Sequence, residues 1–166
     1  GGGGEARLSG IMKAGADGQS SQLNLALSSM PLETLKAIWP RAIASGSRNW
    51  VGENVSAANF KGGKVSFVSG DYLNSTSPPP NGGREQLDVT MEVSDAVFVP
   101  FAGMLPITAP RGLIQVANSA LEVTIPEAFV SVQGDRKVPF KAMRLTSPDV
   151  IIEPSQGEIS FSTQSA

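Results

Sequence analysis

The sequence predicts a mainly β protein with a short helical insertion, an α+β arrangement built on an amphipathic antiparallel sheet. Three observations carry that expectation. Apolar and polar residues alternate over most of the chain, one segment at residues 31–54 switches to helical spacing, and only 17% of residues are charged. Alternation puts every second side chain on one face of an extended strand, which leaves a greasy face and a polar one. The charged fraction lies below the usual ~25%, and Ser, Gly, Asn, Thr and Gln make up the difference. That balance fits β-rich envelope proteins better than cytosolic enzymes.

The elements follow in order. Residues 1–4 are four glycines, read as a flexible lead-in or cloning scar. The chain opens GGGGEA without Met and reads as an excised piece of a longer protein. Strands are expected over 5–30, at ARLSGIMKA and at QLNLALSSM, where Leu23, Leu25 and Leu27 share one parity. MPLETLKAIWP then spaces Leu32, Leu35 and Ile38/Trp39 at helical intervals, with Pro31 in the first turn and Pro40 closing the run. Ser47 is a plausible N-cap for SRNWVGEN. Residues 31–54 are thus expected to form two or three short helical pieces bent at Pro40 and Gly46.

A hairpin or strand is expected over 55–74, with Val65 and Phe67 opposed by Lys64 and Ser66. Lys61-Gly62-Gly63-Lys64 lacks the spacing of a phosphate-binding loop and reads as a turn entering that strand. STSPPPNGGREQ, residues 75–86, reads as a long Pro/Gly-rich loop. A sheet segment is expected over 87–166. It includes QLDVTMEVS, RGLIQVAN, ALEVTIPEAFVSV, VPFKAMRL, PDVIIEP and GEISFST, with a hairpin bend at Asn118-Ser119. Leu87-Asp88-Val89-Thr90-Met91 is echoed by Leu121-Glu122-Val123-Thr124-Ile125, and each copy is followed by a Phe, Phe98 and Phe129. If the echo is true repetition, it points to an array of stacked strand pairs. At 166 residues the whole is treated as one domain.

Composition excludes several functions. With neither Cys nor His, there is no thiolate, no His-based triad and no typical zinc site. The net charge of -2 and the lack of a basic stripe remove the electrostatic footprint of nucleic-acid binding. No run approaches the ~18 apolar residues of a membrane span. Asp88 and Glu92 share a strand face, and Glu33, Glu53, Glu85, Asp95 and Asp149 are scattered. General acid–base work needs two carboxylates held in a shaped pocket, and these sit on polar strand faces beside Thr or Ser. The chain is expected not to be an enzyme and to need no cofactor or metal. The apolar faces remain, either packed into a closed core or lining an open groove.

Two stretches resemble a known family. LKAIWPRAIASGSRNWVGENVSAANFKGGKVSF is similar to the signature segment of AsmA-like bacterial envelope proteins of the YhdP/TamB type. The matching elements are Trp39-Pro40, Trp50-Val51, Asn54-Val55 and Gly62-Gly63. FVPFAGMLPITAPRGLIQVANSALEVTIPEAFV resembles the family's repeating unit at Phe101, Leu105-Pro106-Ile107-Thr108, Gly112-Leu113 and Leu121 to Val123. The resemblance implies a segment of a periplasm-spanning protein anchored in the inner membrane. It also implies a groove-like, taco-shaped sheet in a repeating array that conducts phospholipid toward the outer membrane. Its partners would be acyl chains and neighbouring segments of the same chain, with membranes met only through regions outside this one. On that reading Leu87, Val89, Met91, Val93, Leu121, Val123 and Ile125 line the groove, and Trp39, Pro40 and Trp50 form a structural clip. The alternative is a structural or assembly module of the Gram-negative envelope with a closed core and no ligand.

Overall fold

The computed structural model describes residues 5–15, 18–41, 43–70, 85–132, 136–150 and 158–162. Among the described residues eight strands form one antiparallel sheet whose spatial order follows the chain order. They are β1 (Ala6–Gly15), β2 (Gly18–Pro31), β3 (Val55–Ser69), β4 (Glu85–Phe98), β5 (Ile107–Ala117), β6 (Ala120–Ser131), β7 (Lys137–Ser147) and β8 (Glu158–Ser162). Helices α1 (Leu32–Ile38) and α2 (Ser45–Asn54) are inserted between β2 and β3. The expected mainly-β antiparallel sheet with a short helical insertion is therefore present, and the sheet is open rather than closed.

Register gathers the alternating apolar residues onto one face. Leu23 and Leu25 of β2 lie opposite Phe67 and Val65 of β3, which in turn oppose Leu87 and Val89 of β4. Val89 and Met91 oppose Val116 and Ile114 of β5, and these oppose Leu121 and Val123 of β6. Val123 and Ile125 meet Leu145 and Met143 of β7. Cross-strand partners share a face, so the row continues across six strands.

Strict alternation would fail along strands this long, and bulges correct the phase. Gly62 (φ +58°) sits where β3 slips against β4 between Lys61 and Lys64. Asp95 (φ 53°) does the same in β4, and Ala142 (φ 51°) in β7. Each extra residue reverses which parity faces inward. Met91 and Val93 before the bulge and Ala96 and Phe98 after it are accordingly all buried. Lys61-Gly62-Gly63-Lys64 is thus a bulge inside a fifteen-residue strand, not the expected turn at its entry. Lysines flank a positive-φ position that glycine occupies without strain.

Other expectations need moving. Glu85 and Gln86 belong to β4, not to the loop expected at 75–86, and residues 75–84 lie outside the described set. Pro31 ends β2 and caps α1, and the helical part has two pieces. Gly46 lies inside α2 rather than at a bend, and Ser47 is no N-cap. The cap is Ala44 in a left-handed conformation (φ 46°) with no side-chain cap bond. Pro148–Val150 are not strand, while 151–154 and 1–4 fall outside the described residues. The expected bend at Asn118-Ser119 is a two-residue hairpin loop with positive φ at both positions (50° and 69°), as a type I′ turn requires. The echoed pentapeptides flank β5 as β4 and β6, but their trailing Phe residues diverge. Phe98 pairs with Ile107 on the apolar face, whereas Phe129 pairs with Thr108 on the other.

The helices lie over the apolar face. Leu32 and Leu35 of α1 join the main core with Met30, Phe60, Phe98, Ile107 and Ile125. A second cluster of Ala44, Phe67, Leu87, Val116 and Val150 closes the end of the sheet where β3 finishes and β4 begins.

Candidate functional site

Between the helical pair and the sheet lies a cavity of about 500 Å³. Its floor is the apolar row of β2 to β7 together with Ala6 and Leu8 of β1, and its roof comes from α1, α2 and Val150. The structure places Leu87, Val89, Met91, Val93, Leu121, Val123 and Ile125 in the lining of this cavity. They are not equivalent. Leu87, Met91, Val93 and Ile125 are buried, while Val89, Leu121 and Val123 are half-buried and so present free surface to the cavity.

The three clip residues, Trp39, Pro40 and Trp50, line the same space and belong to its roof. Both indoles are half-buried, and both ring N–H groups are satisfied. Trp39 Nε1 donates to the Ile43 carbonyl (2.9 Å) and Trp50 Nε1 to that of Pro100 (3.3 Å). These bonds orient the rings as apolar surfaces without adding a free polar group to the site.

Leu23, Leu25, Val65, Phe67, Ile114 and Val116 line the cavity too, although no site role was expected for them. Their signal was present in the alternation of β2, β3 and β5. It could not be told from a closed-core pattern until register placed them beside Val89 and Val123. Gly112 explains one close approach. A Cβ there would lie 3.1 Å from Val93 Cγ1 and 3.2 Å from Ile125 Cγ1, so its absence lets those two side chains approach over β5.

Among the described residues the lining carries no charged side chain, and its polar members are Ser47, Thr146 and Ser147. Two of these hydroxyls are engaged: Ser47 Oγ donates to the Val150 carbonyl (2.6 Å) and Ser147 Oγ to that of Asp149 (3.3 Å). The carboxylates of Asp88 and Glu122 serve the sheet instead. Asp88 accepts hydrogen bonds from the Asn118 amide and from Gln86 Nε2, each at 2.8 Å, and so anchors the β5–β6 hairpin. Glu122 pairs with Arg144 across β6 and β7. The hydrogen bond it accepts, and then its negative charge, raise the Arg144 pKa above its ordinary value. Among the described residues no cluster of acids could hold a metal ion, and no described helix is long and apolar enough to cross a membrane. What the arrangement can do chemically is bury apolar matter.

No protein-family model, curated protein or solved structure matches the chain.

Proposed function

We propose that this chain binds lipid acyl chains against the apolar face of its sheet, as one segment of an AsmA-like, inner-membrane-anchored protein that conducts phospholipid across the Gram-negative periplasm. The resemblance around Trp39-Pro40 and Trp50-Val51 supports the family and the location. The observation that carries the binding reading is the cavity, a space of about 500 Å³ with no charged side chain among the described residues of its lining. That volume falls within the ~300–1,000 Å³ range of small-molecule sites.

Energetics favour an apolar occupant. Water settles against apolar surface only where it finds two to four polar partners, and in the described lining the side-chain hydroxyls are those of Ser47, Thr146 and Ser147, of which Ser47 and Ser147 donate to backbone. An acyl chain needs none and gains about 0.8 kcal/mol per methylene buried. Nothing covalent is involved. Transport is sliding along a continuous apolar surface that neighbouring segments of the full-length protein extend, a strand added to the β1 backbone edge lengthening the sheet beneath the chain and leaving the space above Leu8 open.

Ala109 and Ala128, both at 0% exposure, favour a second reading for part of the face, a closed structural module. Titration with the dye ANS separates the two. A fillable cavity gives strong fluorescence that phospholipid competes away; a closed module stays dark.

A further inference from the structure

We infer that the cavity exchanges its occupant at the edge strand β1, past Leu8, because its two long sides are tied shut. This rests on the reading that the cavity holds an apolar chain. On one side, the Val150 carbonyl accepts from Ser47 Oγ of α2 (2.6 Å), and its amide donates to the Ser119 carbonyl (2.9 Å). Ser119, only 1% exposed, is tied in turn to β4. Its amide donates to the Leu87 carbonyl (2.9 Å), and its Oγ accepts from the Leu87 amide (3.2 Å). A continuous set of bonds therefore runs from the roof through Val150 and the β5–β6 hairpin into the floor. Beneath it, Ala44, Phe67, Val116 and Val150 form a sealed apolar cluster.

The opposite side is fastened at Trp50, whose ring N–H reaches the Pro100 carbonyl just beyond β4, above buried Phe98 and Ile107. No comparable tie reaches β1 among the described residues. Leu8 lines the cavity yet is 70% exposed. Along its row exposure falls inward, through half-buried Leu25 and Val65, with buried Phe67 and Leu87 on the next row. Among the large apolar residues of the lining Leu8 is the most exposed, ahead of Ile38 (44%) and Phe101 (40%), so the lining is wettest at this edge, as at a mouth. Ile38, at the end of α1, is also exposed and lines the cavity. An unbranched chain would enter here end-on, with any polar head left in water.

Ile11 provides the control. It lies on the same strand, is 55% exposed, pairs opposite Gln22 and does not line the cavity. The measurement is stopped-flow uptake of cis-parinaric acid, a fluorescent fatty acid, by wild type, Leu8→Arg and Ile11→Arg, with folding checked by circular dichroism. A guanidinium at the mouth must be desolvated or displaced as the chain passes. Uptake by Leu8→Arg should therefore slow at least about tenfold, while Ile11→Arg stays within about twofold of wild type. Should Leu8→Arg misfold, Leu8→Gln is expected to preserve the ordering with a smaller effect. Wild-type rates in the Leu8 variants, or equal slowing by both arginines, would overturn the β1 route while leaving the bound-chain reading intact. A wild type that never enhances the probe's fluorescence would remove both.

Discussion

Val123 and Ile125 stand two residues apart on β6, on the same face and in the same cavity lining, yet they do different jobs. Ile125 is 2% exposed, and Val123 is half-buried. Truncating Ile125 to Ala leaves a void that its packed neighbours cannot fill, so a loss of about 2–5 kcal/mol in urea unfolding is expected. Val123→Ala removes surface that already faces open space. Its cost should stay near 1 kcal/mol, with the larger effect on affinity for an acyl probe. Gly112→Ala tests the opposite error. The added methyl would press on Val93 and Ile125, and overpacking of this kind costs about 1–3 kcal/mol. These differences were illegible in the sequence, where Leu87, Val89, Met91, Val93, Leu121, Val123 and Ile125 form one undifferentiated class. Alternation reports which face a residue takes, but not what lies above it.

At the scale of elements, strands were the legible part and the phase changes within them were not. β2, β4 and β6 follow from alternation alone, and the β5–β6 turn from Asn118-Ser119. Bulges at Gly62, Asp95 and Ala142 were hidden because each looks locally like a turn or a flaw in the pattern. The shift from Val93 to Ala96 as the inward residue is nonetheless written in β4, as an apolar series that changes parity across Ser94-Asp95. Gly62→Ala should cost about 1–2 kcal/mol, the penalty of a left-handed conformation for a residue with a Cβ. The helical pair packs on the apolar face, with Leu32 and Leu35 in the core and Trp39 and Trp50 against it. Its role as the cavity roof depended on α1 and α2 returning over the sheet, which local spacing cannot reveal. Because Trp50 is half-buried, Trp50→Ala should cost less than the ~3–5 kcal/mol of a fully buried aromatic, about 2 kcal/mol. It should also raise ANS fluorescence by loosening the tie to Pro100. A fully unfolded variant would show that the roof is part of the core and not a cover over it.

For the whole molecule, the open eight-stranded sheet of the described residues keeps two edges, and β1 is one of them, with Leu8 and Ile11 exposed along it. Such an edge invites pairing with another strand, which suits one segment within a longer sheet. The same openness gives the apolar face its accessible end. The most direct measurement places a photo-crosslinking amino acid at Val123, which faces the cavity, and at Thr124, its exposed neighbour on the opposite face, and illuminates each protein with phospholipid vesicles. Capture of phospholipid at Val123 and none at Thr124, read by mass spectrometry, is the expected result. Equal labelling at both positions, or none at either, would contradict an acyl-binding face.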